Sequence, residues 1–202
     1  EVPRAFEFKT FDKIKEESND KDKKYNKLRK ESSIKKEILY VTAQEHAVPS
    51  SMLAMIKYIK AEKNDYEQLI AVNNGNIKES EERLKRYNLS DIQIITRDDE
   101  KYLKSLSEAE YIFSDCGLEY YFAAKNNQKY FNLQTDNISA KMTRKKEREC
   151  FEFATVQKSI ITPKASIYLT NESRLSFEKA YRCEMLPTSA IISDSPAFDM
   201  AG

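Results

Sequence analysis

The stretch EYIFSDCGLEYYF (residues 110–122), followed by KYFNLQTD (residues 129–136), decides the fold that the sequence predicts. Its first apolar run ends at Ser114-Asp115, which is typical of a buried parallel strand that runs into a loop. We expect a helix next, over roughly 118–125, and a second strand over 129–134. Ligands of open α/β sheets bind at the carboxyl ends of the strands, so the stretch also predicts the position of a ligand-binding site.

The rest of the chain repeats this alternation of short apolar runs and amphipathic segments. Short connections between such units favour right-handed crossovers, which build a parallel sheet with helices on both faces. We therefore predict a Rossmann-like α/β domain over residues 38–199, after a charged lead-in over residues 1–37 that is helical or partly ordered. The expected strands are 38–42, 68–72, 92–96, 111–114, 129–134, 159–163 (which 166–170 extends) and 189–194, and the expected helices are 52–60, 78–87, 99–107, 118–125, 151–156 and 171–181.

The composition excludes several classes of protein. A formal net charge of +1 provides no global field that would attract nucleic acid. Only 3 glycines argue against a glycine-rich phosphate-binding loop. No run approaches the ~20 apolar residues that a membrane-spanning helix needs. No secretory signal is visible at the charged N-terminus either.

Cysteine and histidine usage points away from disulfides and metal sites. Cys116, Cys150 and Cys183 are widely spaced and form no C-x-x-C pair, which is typical of reduced thiols in a cytosolic protein. His46 is the only histidine, and one histidine with scattered carboxylates does not make a ligand set. We expect no metal and no cofactor.

The order of motifs resembles that of the CDP-glycerol glycerophosphotransferases, the bacterial enzymes that polymerise wall teichoic acid. The resemblance covers roughly residues 38–199. The resemblance rests on the following residues: the pair Tyr102-Leu103, the strand entry Ala109-Glu110-Tyr111, Asp115 at the strand end, Tyr121-Phe122, Gln128-Lys129-Tyr130, the run 159–163 and the turn 191–199. It implies the acceptor-side half of a two-domain GT-B transferase, with the donor domain outside this chain.

One departure from the family pattern concerns catalysis. After the fifth strand the family carries Trp-His-Gly-Thr-Pro, and its His is thought to be the general base. Here Gln134, Thr135 and Asp136 stand at the first three of these positions, and the chain has no Trp. A hydroxyl needs a positioned base to attack phosphorus efficiently. Thr135 cannot be that base, so Asp136 and His46 become the catalytic candidates.

The expected acceptor site collects loops at one edge of the sheet. Asp115 is either a substrate contact or a cap on the helix expected from residue 118. Cys116 is either a small buried residue or, with His46 in contact, a nucleophile. Ser50 and Ser51 begin a helix whose free N–H groups could receive a phosphate. The other substrate-binding candidates are Gln134, Thr135, and Lys141 and Arg144 in the basic run 141–148, which otherwise forms a solvated helix face.

Two functions remain open at this stage. The first is the acceptor-side domain of a transferase that moves glycerol phosphate, a related polyol phosphate or a sugar from a CDP-activated donor to a membrane-linked acceptor. Such an enzyme would be cytoplasmic and peripheral at the inner face of the membrane, and the Lys/Glu-rich lead-in is either a membrane-facing surface or a solvated one. The alternative is a catalytically silent module that docks a partner protein or a glycan.

Overall fold

The protein folds around one seven-stranded sheet in which every pair of neighbouring strands is parallel. The computed structural model describes residues 20–43, 47–62, 65–134, 157–185 and 189–193. The strands are β1 Lys35–Val41, β2 Glu67–Val72, β3 Gln93–Thr96, β4 Ala109–Ser114, β5 Lys129–Gln134, β6 Ala165–Tyr168 and β7 Ala190–Ile192. The helices are α1 (20–31), α2 Ser50–Glu62, α3 Ile77–Arg86, α4 Glu100–Glu108, α5 (157–161) and α6 Asn171–Ala180, with a short 3₁₀ turn at Asn74–Asn76.

The strand order is β3-β2-β1-β4-β5-β6-β7. Its first six members follow the Rossmann order, in which the direction of strand addition reverses between β1 and β4. A crevice forms at such a reversal because the chains that leave the two strands turn to opposite sides of the sheet. The predicted Rossmann-like fold class is therefore confirmed, and so are the five strands predicted between residues 38 and 134.

Two apolar layers cover the central strands. On one face, α2 and α3 pack over the sheet through fully buried residues such as Met52, Ile56 and Leu84. On the other face, α1 and α4 contribute Tyr25, Tyr102 and Leu106 to a second cluster. The apolar face of each helix thus removes one side of the sheet from water, which is the main favourable contribution to this kind of fold.

The connection between β4 and β5 differs from the sequence-based expectation. The helix predicted over 118–125 is wrong, because residues 115–128 form bends and turns without a helix. Leu118 and Phe122 instead insert individually into the core, where they are 5% and 1% exposed. Tertiary packing has overridden a helical pattern here, as it commonly does for weak local preferences.

Helix α1 compensates for the missing crossover helix. The backbone of a segment without secondary structure needs hydrogen-bond partners when it is buried. The carbonyl of Ala123 accepts hydrogen bonds from Tyr25 Oη at 3.1 Å and Arg29 Nε at 2.8 Å. Burial raises the pKa of Tyr25 to about 12, so its phenol keeps the proton that it donates. The second half of the charged lead-in is therefore helical and packed against the domain.

The expected strand at 159–163 is also wrong. Residues 157–161 are helical, with Thr162 N–H donating to the carbonyl of Lys158 at 2.9 Å, and residues 162–164 form a bend. The run 166–170 is therefore no extension of a preceding strand, because β6 (Ala165–Tyr168) is a strand of its own. A short apolar run does not by itself distinguish a strand from a buried helical turn. The helix expected at 151–156 and the basic run 141–148 lie outside the described residues.

We predict that Tyr25 contributes as much to stability as a core residue of the sheet. The substitution Tyr25→Ala should lower the free energy of unfolding by about 3–5 kcal/mol, since it removes a fully buried aromatic ring. Lys23→Ala, on the exposed face of the same helix, should change it by about 0.5 kcal/mol or less. Urea denaturation followed by circular dichroism measures both. Equal, small losses in the two variants would mean that α1 is not part of the cooperative fold.

Candidate functional site

The strand-order reversal places the expected crevice between the chains that leave β1 and β4. Val41 and Ser114 are register partners at the ends of these strands. One residue on, Asp115 N–H donates to the carbonyl of Val41 at 3.3 Å. The Asp115 carboxylate in turn accepts a hydrogen bond from Ala43 N–H at 2.7 Å. Asp115 thus ties the two walls of the crevice together.

Asp115 is not a helix cap, which was the alternative to a substrate contact in the sequence analysis. It cannot cap a helix at residue 118, because no helix follows it in residues 115–128. The residue is 7% exposed and lies directly at the sheet edge where a ligand of this fold is expected. Its role as a substrate contact stays a prediction.

Ser114 and Cys116 form a tight turn at the end of β4. Ser114 Oγ accepts a hydrogen bond from Cys116 N–H at 3.1 Å and lies 2.6 Å from the Cys116 carbonyl oxygen, to which it donates. Burial and the neighbouring Asp115 charge raise the pKa of the Cys116 thiol to about 11. A thiol with such a pKa holds its proton at neutral pH, so Cys116 is unsuited to nucleophilic catalysis.

A buried ion pair that the sequence analysis did not identify lies beside this turn. Arg97 Nη2 lies 2.6 Å from Glu119 Oε1, and Tyr102 Oη donates to Glu119 Oε2 at 2.6 Å. Arg97 Nη1 also approaches the Thr42 carbonyl at 3.4 Å and Cys116 Sγ at 3.7 Å. Burial opposes the charge of Arg97, whereas Tyr102 and Glu119 hold its pKa above the usual range, so it stays a cation. The sequence contained one signal for this ion pair, which is the position of Arg97 directly after the strand predicted at 92–96.

The serines at the start of α2 occupy different environments. Ser50 is exposed, while Ser51 is 1% exposed. Ser50 borders an open cavity of about 400 Å³ between α2 and α3, together with Arg83, Arg86, Glu79, Glu82, Leu53 and Tyr87. Arg83 is fixed there by hydrogen bonds to the Val48 carbonyl at 3.1 Å and to Glu79 at 2.8 Å. The cavity therefore combines a helix N-terminus and two guanidinium groups, which favour an anion, with the carboxylates of Glu79 and Glu82, which oppose one.

Gln134 is the last residue of β5 and is 7% exposed. Its register partner is Tyr168 on β6, so it lies on the opposite side of β4 from Ala43. Of the other predicted site residues, His46, Thr135, Asp136, Lys141 and Arg144 lie outside the described residues. The structure therefore brings together Asp115 and the ends of β1 and β4, but it does not test a contact with these five residues.

Two further properties concern the described residues only. Within them, no His, Cys, Asp and Glu side chains cluster in a way that could hold a metal ion. None of the helices in this part of the chain is long and apolar enough to cross a membrane.

The state of Cys116 leads to a test by alkylation. We expect iodoacetamide at pH 8 to modify Cys116 at least about 100-fold more slowly than glutathione, because a pKa of about 11 leaves little thiolate. The rate should rise as the pH increases toward 11. Peptide mass spectrometry follows this site separately from the other cysteines. Modification of Cys116 at the rate of glutathione would contradict the assignment and reopen its role as a nucleophile.

Comparison with known structures agrees with this fold. The wall teichoic acid polymerase TagF superimposes with a TM-score of 0.64 at 15% sequence identity, over 95% of this chain and 46% of TagF. A His-to-Asn variant of TagF gives a TM-score of 0.64 at 16% identity, over 89% and 43% of the two chains. The same variant soaked with CDPG gives 0.62 at 15% identity, over 96% and 49%. The chain thus spans less than half the length of the TagF structures that it matches.

At these identities the structures show a shared fold and no more. No curated protein sequence matches the chain significantly. The sequence pattern of the family described as "CDP-Glycerol:Poly(glycerophosphate) glycerophosphotransferase" matches residues 23–188, which is most of the chain. The chain therefore belongs to the CDP-glycerol:poly(glycerophosphate) glycerophosphotransferase family.

Proposed function

We propose that this chain is the acceptor-side domain of a transferase that moves glycerol phosphate from CDP-glycerol to a polymer acceptor linked to a membrane lipid. The observation that carries the proposal is the family match over residues 23–188, which spans the crevice between β1 and β4. The acceptor would bind at this edge, because ligands of open α/β sheets bind where the strand order reverses. A lipid-linked acceptor would place the enzyme at the inner face of the membrane as a peripheral protein.

The donor would bind elsewhere. The described residues contain one sheet, whereas the GT-B arrangement that the resemblance implies has two Rossmann-like domains. The TagF chains are about twice as long as the part that this chain matches. We therefore assign CDP-glycerol to a second domain that residues 1–202 do not include.

The phosphate of the acceptor would be held by cationic groups near the start of α2. The cavity beside Ser50 provides the N-terminus of a 13-residue helix and the side chains of Arg83 and Arg86. Backbone N–H groups and guanidinium groups both donate to phosphate oxygens. Lys141 and Arg144 would add positive charge along the path of an anionic polymer.

The reaction itself needs a base on the acceptor side. The acceptor hydroxyl would lose its proton to the base as its oxygen attacks the phosphorus atom of the glycerol phosphate group. The bond between this phosphorus and the bridging oxygen then breaks, and CMP leaves. Asp136 and His46 are the proposed bases, since Thr135 stands where the family carries its His and has no suitable acid–base group.

A catalytically silent binding module is the second candidate. The observation that favours it is the absence of the Trp-His-Gly sequence, since the chain contains no Trp. Such a module would keep the crevice and bind a partner protein or a glycan without transferring a group.

Residues 1–202 alone should show no turnover of CDP-glycerol with a soluble acceptor analogue. The physical reason is that the proposed donor-binding domain is absent, so the donor phosphorus cannot be held next to the acceptor hydroxyl. Release of CMP above the rate without protein is the measurement. Turnover by this chain would refute its assignment as half of a two-domain site.

A chain that joins residues 1–202 to the proposed donor domain should transfer glycerol phosphate and should depend on the base. Asp136→Asn should lower kcat by about 10²–10⁴-fold if Asp136 is the base, and His46→Ala should do so if the imidazole is the base. Neither change should alter the melting temperature by more than about 2 °C if the residue serves catalysis alone. Near wild-type rates in both variants would refute these catalytic assignments. A wild-type chain without transfer, but with affinity for the acceptor polymer, would favour the binding module.

A further inference from the structure

The pair Arg97 and Glu119 differs from the other ion pairs in the described part of the chain. Their side chains are 12% and 17% exposed, and no other ion pair among these residues has both partners below 20%. Glu119 Oε1 accepts from Nη2 at 2.6 Å and from Nε at 3.2 Å of the same guanidinium. This forked geometry fixes the orientation of both side chains, which a lysine could not do.

The pair joins chain segments that leave three strands. Arg97 directly follows β3, and Glu119 belongs to the connection that follows β4. Arg97 Nη1 also approaches the carbonyl of Thr42, the residue that follows β1, at 3.4 Å. On α4, Tyr102 is fully buried and donates to the second oxygen of Glu119. The side chain of Arg97 therefore bridges the two walls of the crevice.

Stability alone is a weak reason to bury such a pair. Removing two charges from water costs about as much as their mutual attraction returns, and apolar residues of similar size are often equally stabilising in the same place. A pair with directional hydrogen bonds does, however, restrict how its segments can lie relative to one another. The structure also contains a half-exposed ion pair, made by a lysine, at the opposite, amino-terminal edge of the sheet. There Lys35 pairs with Glu108, which is 9% exposed.

We infer that Arg97 and Glu119 are positioning residues that hold the walls of the acceptor crevice in the geometry needed for transfer. This inference rests on the proposed function. The two side chains act through Thr42-Ala43 and through Asp115 with Cys116. They themselves need not touch the substrate, because their hydrogen-bonding groups are directed at one another and at these segments.

The kinetic test replaces the pair by apolar residues. In the chain that carries both domains, Arg97→Met with Glu119→Leu should keep the fold and lower kcat by about 10–100-fold, since small displacements at a reacting centre have effects of this size. The KM for CDP-glycerol should stay within about twofold, because the donor is bound by the other domain. The control is Lys35→Met with Glu108→Leu, which removes a half-exposed ion pair from the opposite edge. Its kcat should stay at the wild-type value.

Equal kcat values for the two double variants, with melting temperatures near that of the wild type, would overturn the inference. If the first double variant proves less stable, Arg97→Lys keeps the charge but loses the fork. It should lower kcat in the same direction at a temperature where both proteins are folded. Wild-type kcat in Arg97→Lys would also overturn the inference.

A second measurement does not depend on transferase activity. In residues 1–202, the Ala43 amide donates to Asp115 across the crevice, and loss of the pair should speed its hydrogen exchange by about tenfold or more. The amide of Leu69, in the centre of β2, should keep its rate. If the wild-type chain that carries both domains transfers no glycerol phosphate, the proposed function fails. The hydrogen-exchange data then still test the inference. An Ala43 amide that exchanges at the same rate in the double variant and in the wild type would overturn it.

Discussion

The structure depends on how the chain crosses from β4 to β5 without a helix. Parallel strands need a crossover that covers the sheet, and a helix usually provides it because a helix satisfies its own backbone groups. Residues 115–128 contain no helix, so their carbonyls need donors from elsewhere. Arg29 donates to the carbonyls of Ala123 and Ala124, and Lys158 donates to those of Tyr120 and Phe122. Segments distant in sequence, α1 and α5, thereby hold the crossover in place.

The same crossover begins at the candidate site, so the fold and the site are coupled. Asp115 joins the two walls of the crevice by accepting a hydrogen bond from Ala43. Four residues later, Glu119 accepts hydrogen bonds from Arg97 and Tyr102. Three residues further, Phe122 is buried beside Tyr25 with ring centroids 6.3 Å apart. The position of the crevice wall is thus linked through one short segment to the packing of α1. A helical crossover would have satisfied its own backbone carbonyls and would not have needed the donors from α1 and α5.

The sequence-based predictions were correct where local sequence determines the structure and wrong where contacts with distant parts of the chain determine it. The strands at 38–42, 68–72 and 129–134 were predicted correctly because a buried parallel strand is marked by its own apolar run. The helix at 118–125 and the strand at 159–163 were wrong, because their conformations are decided by partners far away in the chain. Lys158, for example, reaches the carbonyl of Tyr120 across 38 positions.

The candidate site shows the same dependence. Asp115 was identified because it ends a strand, which is a local signal, whereas Arg97 and Glu119 are 22 positions apart and meet only in the folded protein. The position of Arg97 directly after a strand is a local signal for that residue alone, and nothing in the sequence pairs it with Glu119. The prediction at residues 135 and 136 came from the family resemblance and not from any local pattern.

The hydrogen bonds in the described part of the crevice also bear on the proposed catalytic base. Asp115 accepts a hydrogen bond from Ala43, and both oxygens of Glu119 accept hydrogen bonds from Arg97 and Tyr102, so these carboxylates are directed at protein groups. Cys116 keeps its proton at neutral pH because of its burial. A base for an acceptor hydroxyl must lie within hydrogen-bond reach of it and have a free lone pair. The described carboxylates of this edge are thus engaged with protein groups, and this agrees with the proposal that His46 or Asp136 supplies the base.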